Sequence, residues 1–206
     1  MLSNIVDLLL TYGTNVIIKE DGNTLAHNAA ELNDVLLLDV INSYSADFKL
    51  LNGGGEPALM IAIALGNEEA IQFIWIVAEI HTQTENHETV LHYAARHNNA
   101  VIALQGSEPG YQIPLNEQST QKLRTALHFA VQRSNVEIAR VLLQHGAQDD
   151  WEDRYGTRAR DYVGRDEAME ALFEQYHLLQ NQTTPTTGCQ QAASINENQP
   201  HRRHQR

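Results

Sequence analysis

The chain has 206 residues, 42% of them hydrophobic and 19% charged, which describes a folded protein with one sizeable core or one extended stack. Its only cysteine, Cys189, excludes an intramolecular disulfide and a cysteine-based zinc site, and makes a reducing cytoplasmic or nuclear address the default. A net charge of −12 argues against binding a phosphate backbone, so nucleic acid is not an expected partner.

From the N-terminus, MLSNIVDLLLTYG lacks a basic leader region and carries Asp7 where a signal peptide would be apolar. Residues 5–13, IVDLLLTYG, read as an apolar helix closed by Gly13 as its C-terminal cap. TLAHNAA at 24–30 follows, then GGGEPALM, whose Gly53, Gly54 and Gly55 are expected to loosen a hairpin. The frame returns as PALMIAIALGN, with Met60 where the first copy has His27. AIQFIWIVAEI ends far short of the ~20 apolar residues that a membrane span needs, so no membrane partner is expected and Trp75 is assigned to the core. TVLHYAA at 89–95 is the third copy. Gly106, Pro109, Gly110 and Pro114 are expected to end its second helix early and open a loop over 105–121 that carries Tyr111 and Leu115. TALHFA at 125–130 is the fourth copy, followed by IARVLLQHG, a twin of residues 5–13 that ends at Gly146. The fifth, GTRARDYV, is degenerate: Asp161 takes the histidine position and Arg160 replaces an apolar anchor, as suits a polar cap. From Asn181 on, the Gln-, Asn- and Thr-rich tail has no helical or strand period and reads as disordered.

The aligned positions His27, Met60, His92, His128 and Asp161 are 33, 32, 36 and 33 residues apart. Turn residues recur six after each (Asn33, Gly66, Asn98, Ser134), and alanines at +2 and +3 allow a neighbouring unit to approach closely. A period near 33 with T-x-L-H-x-A, then a helix ending in L-L-x-x-G, resembles the ankyrin repeat over roughly residues 1–175. The resemblance implies an all-α repeat solenoid of helix-turn-helix units joined by short β-hairpin loops. On this reading 1–19 is a partial N-terminal unit, and 20–52, 53–85, 86–120 and 121–153 are repeats, the third with a shortened second helix and a loop. Residues 154–180 form a degenerate C-terminal cap and 181–206 the tail.

No catalytic residues, metal ligands or cofactor are expected. Cys189 lies in the tail without a base, and the chain has no G-x-S-x-G, phosphate-cradling glycine loop or H-E-x-x-H. His81, His87, His92 and His97 are close in sequence, but His92 holds the repeat position, and the five-residue step to His97 puts the two imidazoles on different helix faces. Asp149–Asp153 lacks the alternating spacing of a calcium loop and reads as a hairpin tip. His27, His92 and His128 recur at the unit period, which assigns them one scaffold role.

The resemblance also implies that other proteins are bound through hairpin tips and the exposed face of each first helix, four and five residues after the histidine position. Here these are Glu31 and Leu32, Ala64 and Leu65, Arg96 and His97, and Gln132 and Arg133, with Lys122, Arg124 and Tyr155 among the hairpin positions. Residues 1–95 hold two basic groups against thirteen acids, a balance of −11, and residues 96–206 hold twelve against thirteen, or −1. The implied groove is therefore acidic or apolar at first and basic from Arg96 onward. Trp151 is its main exposed aromatic anchor, with Tyr93, Tyr111, Phe129 and Tyr155 as secondary candidates. The expected function is a non-enzymatic binding module that regulates or scaffolds another protein. Short ankyrin proteins resemble two regulatory groups, inhibitors of cyclin-dependent kinases and inhibitors of Rel-type transcription factors. The alternatives are thus a regulatory subunit or inhibitor of a protein kinase complex in cell-cycle control, or an inhibitor of a Rel-type transcription factor, and the oligomeric state stays open.

Overall fold

Among the described residues, helices α1 (Leu25–Glu31) and α2 (Val35–Ser43) form the first of four successive pairs. The others are α3 (Ala58–Leu65) with α4 (Glu68–Val77), α5 (Val90–His97) with α6 (Ala100–Ser107), and α7 (Ala126–Gln132) with α8 (Val136–Gln144). A 3₁₀ turn, Ala159–Tyr162, and the longer α9, Glu167–Thr183, complete the stack. This computed structural model describes residue 13 and residues 21–78, 81–111 and 113–183. Apart from Gly13, the expected half-unit 1–19 lies outside them, as does the tail beyond Thr183. Among the described residues there is no β-strand; antiparallel bridges Leu51–Pro57 and Glu152–Arg158 mark the hairpins. None of these helices is long and apolar enough to cross a membrane.

Helices of seven to ten residues would be marginal alone, so the stack must hold them. The first helices pack side by side in the order α1, α3, α5, α7, while α2 packs on α4 and α6 on α8. Ala29, Ala30, Ala62, Ala94, Ala95 and Ala130 are fully buried between them, where larger side chains would force the units apart. Leu38, Ile41, Leu59, Ile74, Leu91, Leu127, Ile138 and Leu142 fill the layer between first and second helices. Each such side chain contributes roughly 1.5–3 kcal/mol through burial, which far outweighs the helix propensities. Asn33, Gly66, Asn98 and Ser134 sit at φ of 54°, 72°, 59° and 55° and reverse the chain between the helices of each pair. That left-handed requirement explains the recurring turn residue at +6.

Backbone bonds also join hairpin to hairpin: Gly53 N–H donates to Asp21 O (2.7 Å), Glu85 to Gly55 (2.8 Å), Thr120 to Asn86 (2.9 Å) and Arg154 to Lys122 (2.9 Å). The glycine-rich hairpin is correspondingly tight rather than loose. A Cβ on Gly53 would lie 2.5 Å from Asp21 O, and one on Gly55, at φ +74°, would lie 2.7 Å from Glu85 Cβ. Asn52 Oδ1 accepts from the N–H groups of Gly54 and Glu56 and fixes the turn from inside. Glycine here permits close approach of two backbones.

The third unit departs from the frame less than expected. Helix α6 runs through Gly106 and stops at Ser107, before Pro109 and Gly110. Gly106 is buried against Leu91, whose Cδ2 would lie 2.8 Å from a Cβ there, so this glycine is a packing residue and no helix breaker. The hairpin that follows closes from Ser119 N–H to Arg124 O (2.9 Å), one residue longer than the Asn52–Glu56 closure (3.0 Å). The longer 36-residue spacing is thus shared between this hairpin and the segment before it.

Candidate functional site

Each histidine of the repeat frame is a strut. In the first unit Thr24 is the helix N-cap, and its backbone N–H donates to His27 Nδ1 (3.1 Å), with the Thr24 hydroxyl at 2.8 Å from the same nitrogen. His27 Nε2 then reaches Glu56 O in the next hairpin (3.0 Å). His92 repeats this with Thr89 and Arg124 O (3.1 Å), and His128 with Thr125 and Thr157 O (3.2 Å). A backbone N–H can only donate and a carbonyl can only accept, so each ring is neutral with its proton on Nε2. Burial pushes all three below the ordinary histidine value, and His92 falls to about 4. Met60 occupies the same place by apolar burial alone, and Asp161 caps the last turn by accepting from Arg158 N–H (2.9 Å). Among the described residues no group of three His, Cys, Asp or Glu side chains comes together.

The residues after these struts form a second row along the first-helix side of the stack. Tyr93, Phe129 and Tyr162 each follow a strut position directly, and two arginines alternate with them. The Arg96 guanidinium lies 4.5 Å from the Phe129 ring centre and 5.3 Å from that of Tyr93, and it is bonded to Glu88. The Arg124 guanidinium lies 4.9 Å from the Tyr162 ring centre. Tyr93 donates to Glu56 across a unit boundary; burial first, and that carboxylate second, drive its hydroxyl pKa upward.

Arg124 does not occupy the exposed tip expected from sequence. It is 6% exposed, donates from Nε to Asp153 (3.1 Å), and reaches Gln132 Oε1 (2.9 Å) and Tyr162 Oη (2.7 Å). Desolvation alone would raise the Asp153 pKa. Bonds from Tyr162, the Tyr155 and Thr157 N–H groups and Arg124 outweigh it and hold the carboxyl down at about 2. This is a buried ion pair between two successive hairpins, and Arg124 belongs to the scaffold. Tyr93 and Phe129 are likewise buried, which removes them as exposed anchors. Tyr111 sets its ring edge against Trp75, 5.3 Å between centres, and Leu115 packs against the core. The turn of the last hairpin lies at residues 154–156 rather than in the acidic run. Tyr155 is therefore at the tip, 69% exposed, and Trp151 precedes it, partly exposed with its indole N–H on Gln148 (2.7 Å).

The remaining sequence-derived residues lie on one side. Leu32 (72% exposed), Leu65 (55%), His97 and Arg133 occupy equivalent positions at the ends of successive first helices. Glu31, Arg96 and Gln132 precede three of them, and Arg96 is half-buried. Between the third and fourth units a cleft of about 200 Å³ is lined by Arg96, Lys122, Arg124, Phe129, Gln132 and Arg133, with Glu88 as its acid. Partial burial, then Arg96 and Arg133, depress the pKa of His97, which disfavours a charge on its ring. Glu88 and Asp153 neutralise the two arginines expected to carry the basic end. Of the cleft's cations, that leaves Lys122 and Arg133, which face no acidic partner among the described residues, presented to solvent. Sequence position placed Glu56 and Glu88 on hairpins without their partners, and it missed the roles of Asp153 and Tyr162. For three of the four the signal was a counterpart about one period away: Arg124 to Asp153 is 29 residues, Arg124 to Tyr162 is 38 and Glu56 to Tyr93 is 37, whereas Glu88 and Arg96 are eight apart.

Stacked helix pairs, histidine struts and a ladder of linked hairpins define a repeat protein whose exposed surface lies along one row of helix ends. A family model described as ankyrin repeats (3 copies) matches residues 27–110 and 59–153. The chain belongs to the ankyrin-repeat family. Ankyrin repeats are protein–protein interaction modules and typically lack catalytic activity of their own.

Proposed function

We propose that this protein docks a partner protein along the exposed row of first-helix ends and adjoining hairpins, and regulates or scaffolds that partner. The observation that carries the reading is the separation of roles along the stack. The groups that hold it together, His27, His92, His128, Arg124 and Asp153, are buried and bonded to the next hairpin or to each other. Leu32, Leu65, Arg133, Lys122 and Tyr155 stand exposed at equivalent or neighbouring positions. The partner-contacting set proposed here is Glu31, Leu32, Leu65, Arg96, His97, Lys122, Gln132, Arg133, Trp151 and Tyr155, with Arg124 withdrawn. The change from Glu31 and the leucines to Lys122 and Arg133 orients a partner and speeds encounter more than it deepens affinity.

Affinity purification with mass spectrometry tests this, comparing the wild-type chain with K122E/R133E. A partner recovered by wild type and lost with the variant supports docking on this face, and a kinase or its subunit among such partners would specify the regulatory role. Identical recovery by both would refute docking at this charged end.

A further inference from the structure

We infer that the docked segment is an extended stretch of about seven to nine residues with an apolar part and an acidic part in fixed order. This rests on the docking reading and specifies the chemistry of the ligand. Leu32, Leu65, His97 and Arg133 hold equivalent positions on α1, α3, α5 and α7, which pack side by side. Helices in contact lie about 8–10 Å apart, so three steps from Leu32 to Arg133 span about 24–30 Å. An extended chain advances about 3.4 Å per residue, and about seven to nine residues cover that span. The two steps from Leu65 to Arg133 cover about 16–20 Å, or five to six residues by the same rise.

The chemistry changes once along this row. Leu32 and Leu65 offer exposed apolar surface beside Glu31, which disfavours an acid there. His97 stands in the middle, its pKa lowered by partial burial and by Arg96 and Arg133. At the far end Arg133 and Lys122 border the 200 Å³ cleft, whose four basic groups meet one acid, Glu88, already bonded to Arg96. Arg96 and Arg124, paired with Glu88 and Asp153, hold the walls of the cleft in place and leave its net positive charge to Lys122 and Arg133. A carboxylate seated there meets Arg133 and Lys122 directly; a phosphorylated side chain offers the same anionic chemistry. The ligand thus places aliphatic side chains on the first two units and acids on the fourth, about five to six residues from the aliphatic on the second.

Display of random 12-residue peptides, selected on the full-length chain, tests the inference. The expected result is a set of sequences at least twofold enriched in Asp and Glu, with aliphatic residues five to six positions from the acids. Both K122E/R133E and L32S/L65S should weaken the selected peptides at least tenfold, while L36E, on exposed α2, changes binding less than twofold. Synthetic copies carrying phosphoserine in place of the acids identify the source of the charge: equal or tighter binding marks a phosphorylated segment, weaker binding a carboxylate one. Peptides without acidic enrichment, or a K122E/R133E change below twofold, overturn the inference, as does failure to select any sequence. If such peptides still respond to L32S/L65S, docking along the row stands and only the acidic end falls. Indifference to both variants removes the docking reading as well.

Discussion

Replacing Arg124 with alanine should damage the stack and leave the docking surface chemically intact. The wild-type guanidinium makes three bonds, at 3.1 Å to Asp153, 2.9 Å to Gln132 and 2.7 Å to Tyr162, and lies 4.9 Å from the Tyr162 ring centre. Removing one member of a buried ion pair costs about 3–5 kcal/mol because the other charge is left without its partner. Asp153 keeps bonds from Tyr162 and from the Tyr155 and Thr157 amides, which places the expected loss near the lower end, about 3 kcal/mol. Arg133→Ala, which removes a solvent-facing cation, should shift stability by no more than about 0.5 kcal/mol. Urea unfolding followed by both circular dichroism and tryptophan fluorescence measures the difference, and two probes are needed because stacked repeats can unfold in parts. A loss below about 1 kcal/mol for Arg124→Ala, or equal losses for the two variants, would refute the assignment of Arg124 to the scaffold.

Acid should loosen the stack through its histidines. His92 in the folded chain titrates at about 4 against 6.5 ordinarily, so its contribution is complete above pH 6.5 and is lost as the pH falls toward 4. At about 1.4 kcal/mol per pH unit this reaches about 3 kcal/mol, with His27 and His128 acting in the same direction. Asp153, held at about 2, contributes fully above its ordinary value of 3.8 and loses that contribution only under stronger acid, so urea midpoints between pH 7.5 and 4 report the histidines. His92→Met, copying Met60, should lower stability at pH 7.5 and flatten this pH slope; an unchanged slope would contradict the strut assignment. His128→Leu should lower thermal stability while changing partner affinity less than Arg133→Glu does, as paired melting and binding measurements would show. Gly53→Ala and Gly55→Ala should each lower the melting temperature, because their Cβ atoms would meet Asp21 O at 2.5 Å and Glu85 Cβ at 2.7 Å. Gly54→Ala, whose nearest contact would be the Asn52 side chain at 3.3 Å, should be tolerated far better.

Periodicity made the scaffold legible. His27, His92 and His128 recur in phase because every unit must cap its first helix and reach the next hairpin in the same way, and Asn33, Gly66, Asn98 and Ser134 recur because each unit needs a left-handed turn. Side-chain destinations were less legible. Arg124 immediately precedes Thr125, so its backbone carbonyl is held by His92 while its side chain runs along the stack into a buried carboxylate. A period locates such a residue on the hairpin but does not say whether it faces solvent or a neighbour. Gly106 misled for a related reason: glycine in a helix is read from local propensity, whereas here it answers to Leu91 in the adjoining helix. The exposed leucines at 32 and 65 were legible, since nothing in the frame covers the position five residues after the strut.

The central claim is that a partner lies along the first-helix row, and hydrogen exchange on the complex tests it most directly. Once a partner is recovered, exchange should slow at the ends of α1, α3, α5 and α7 and in the hairpin at residues 119–124, while α2, α4, α6 and α8 keep their free-state rates. Protection confined to the second helices or to α9, with the first-helix row unchanged, would contradict the account.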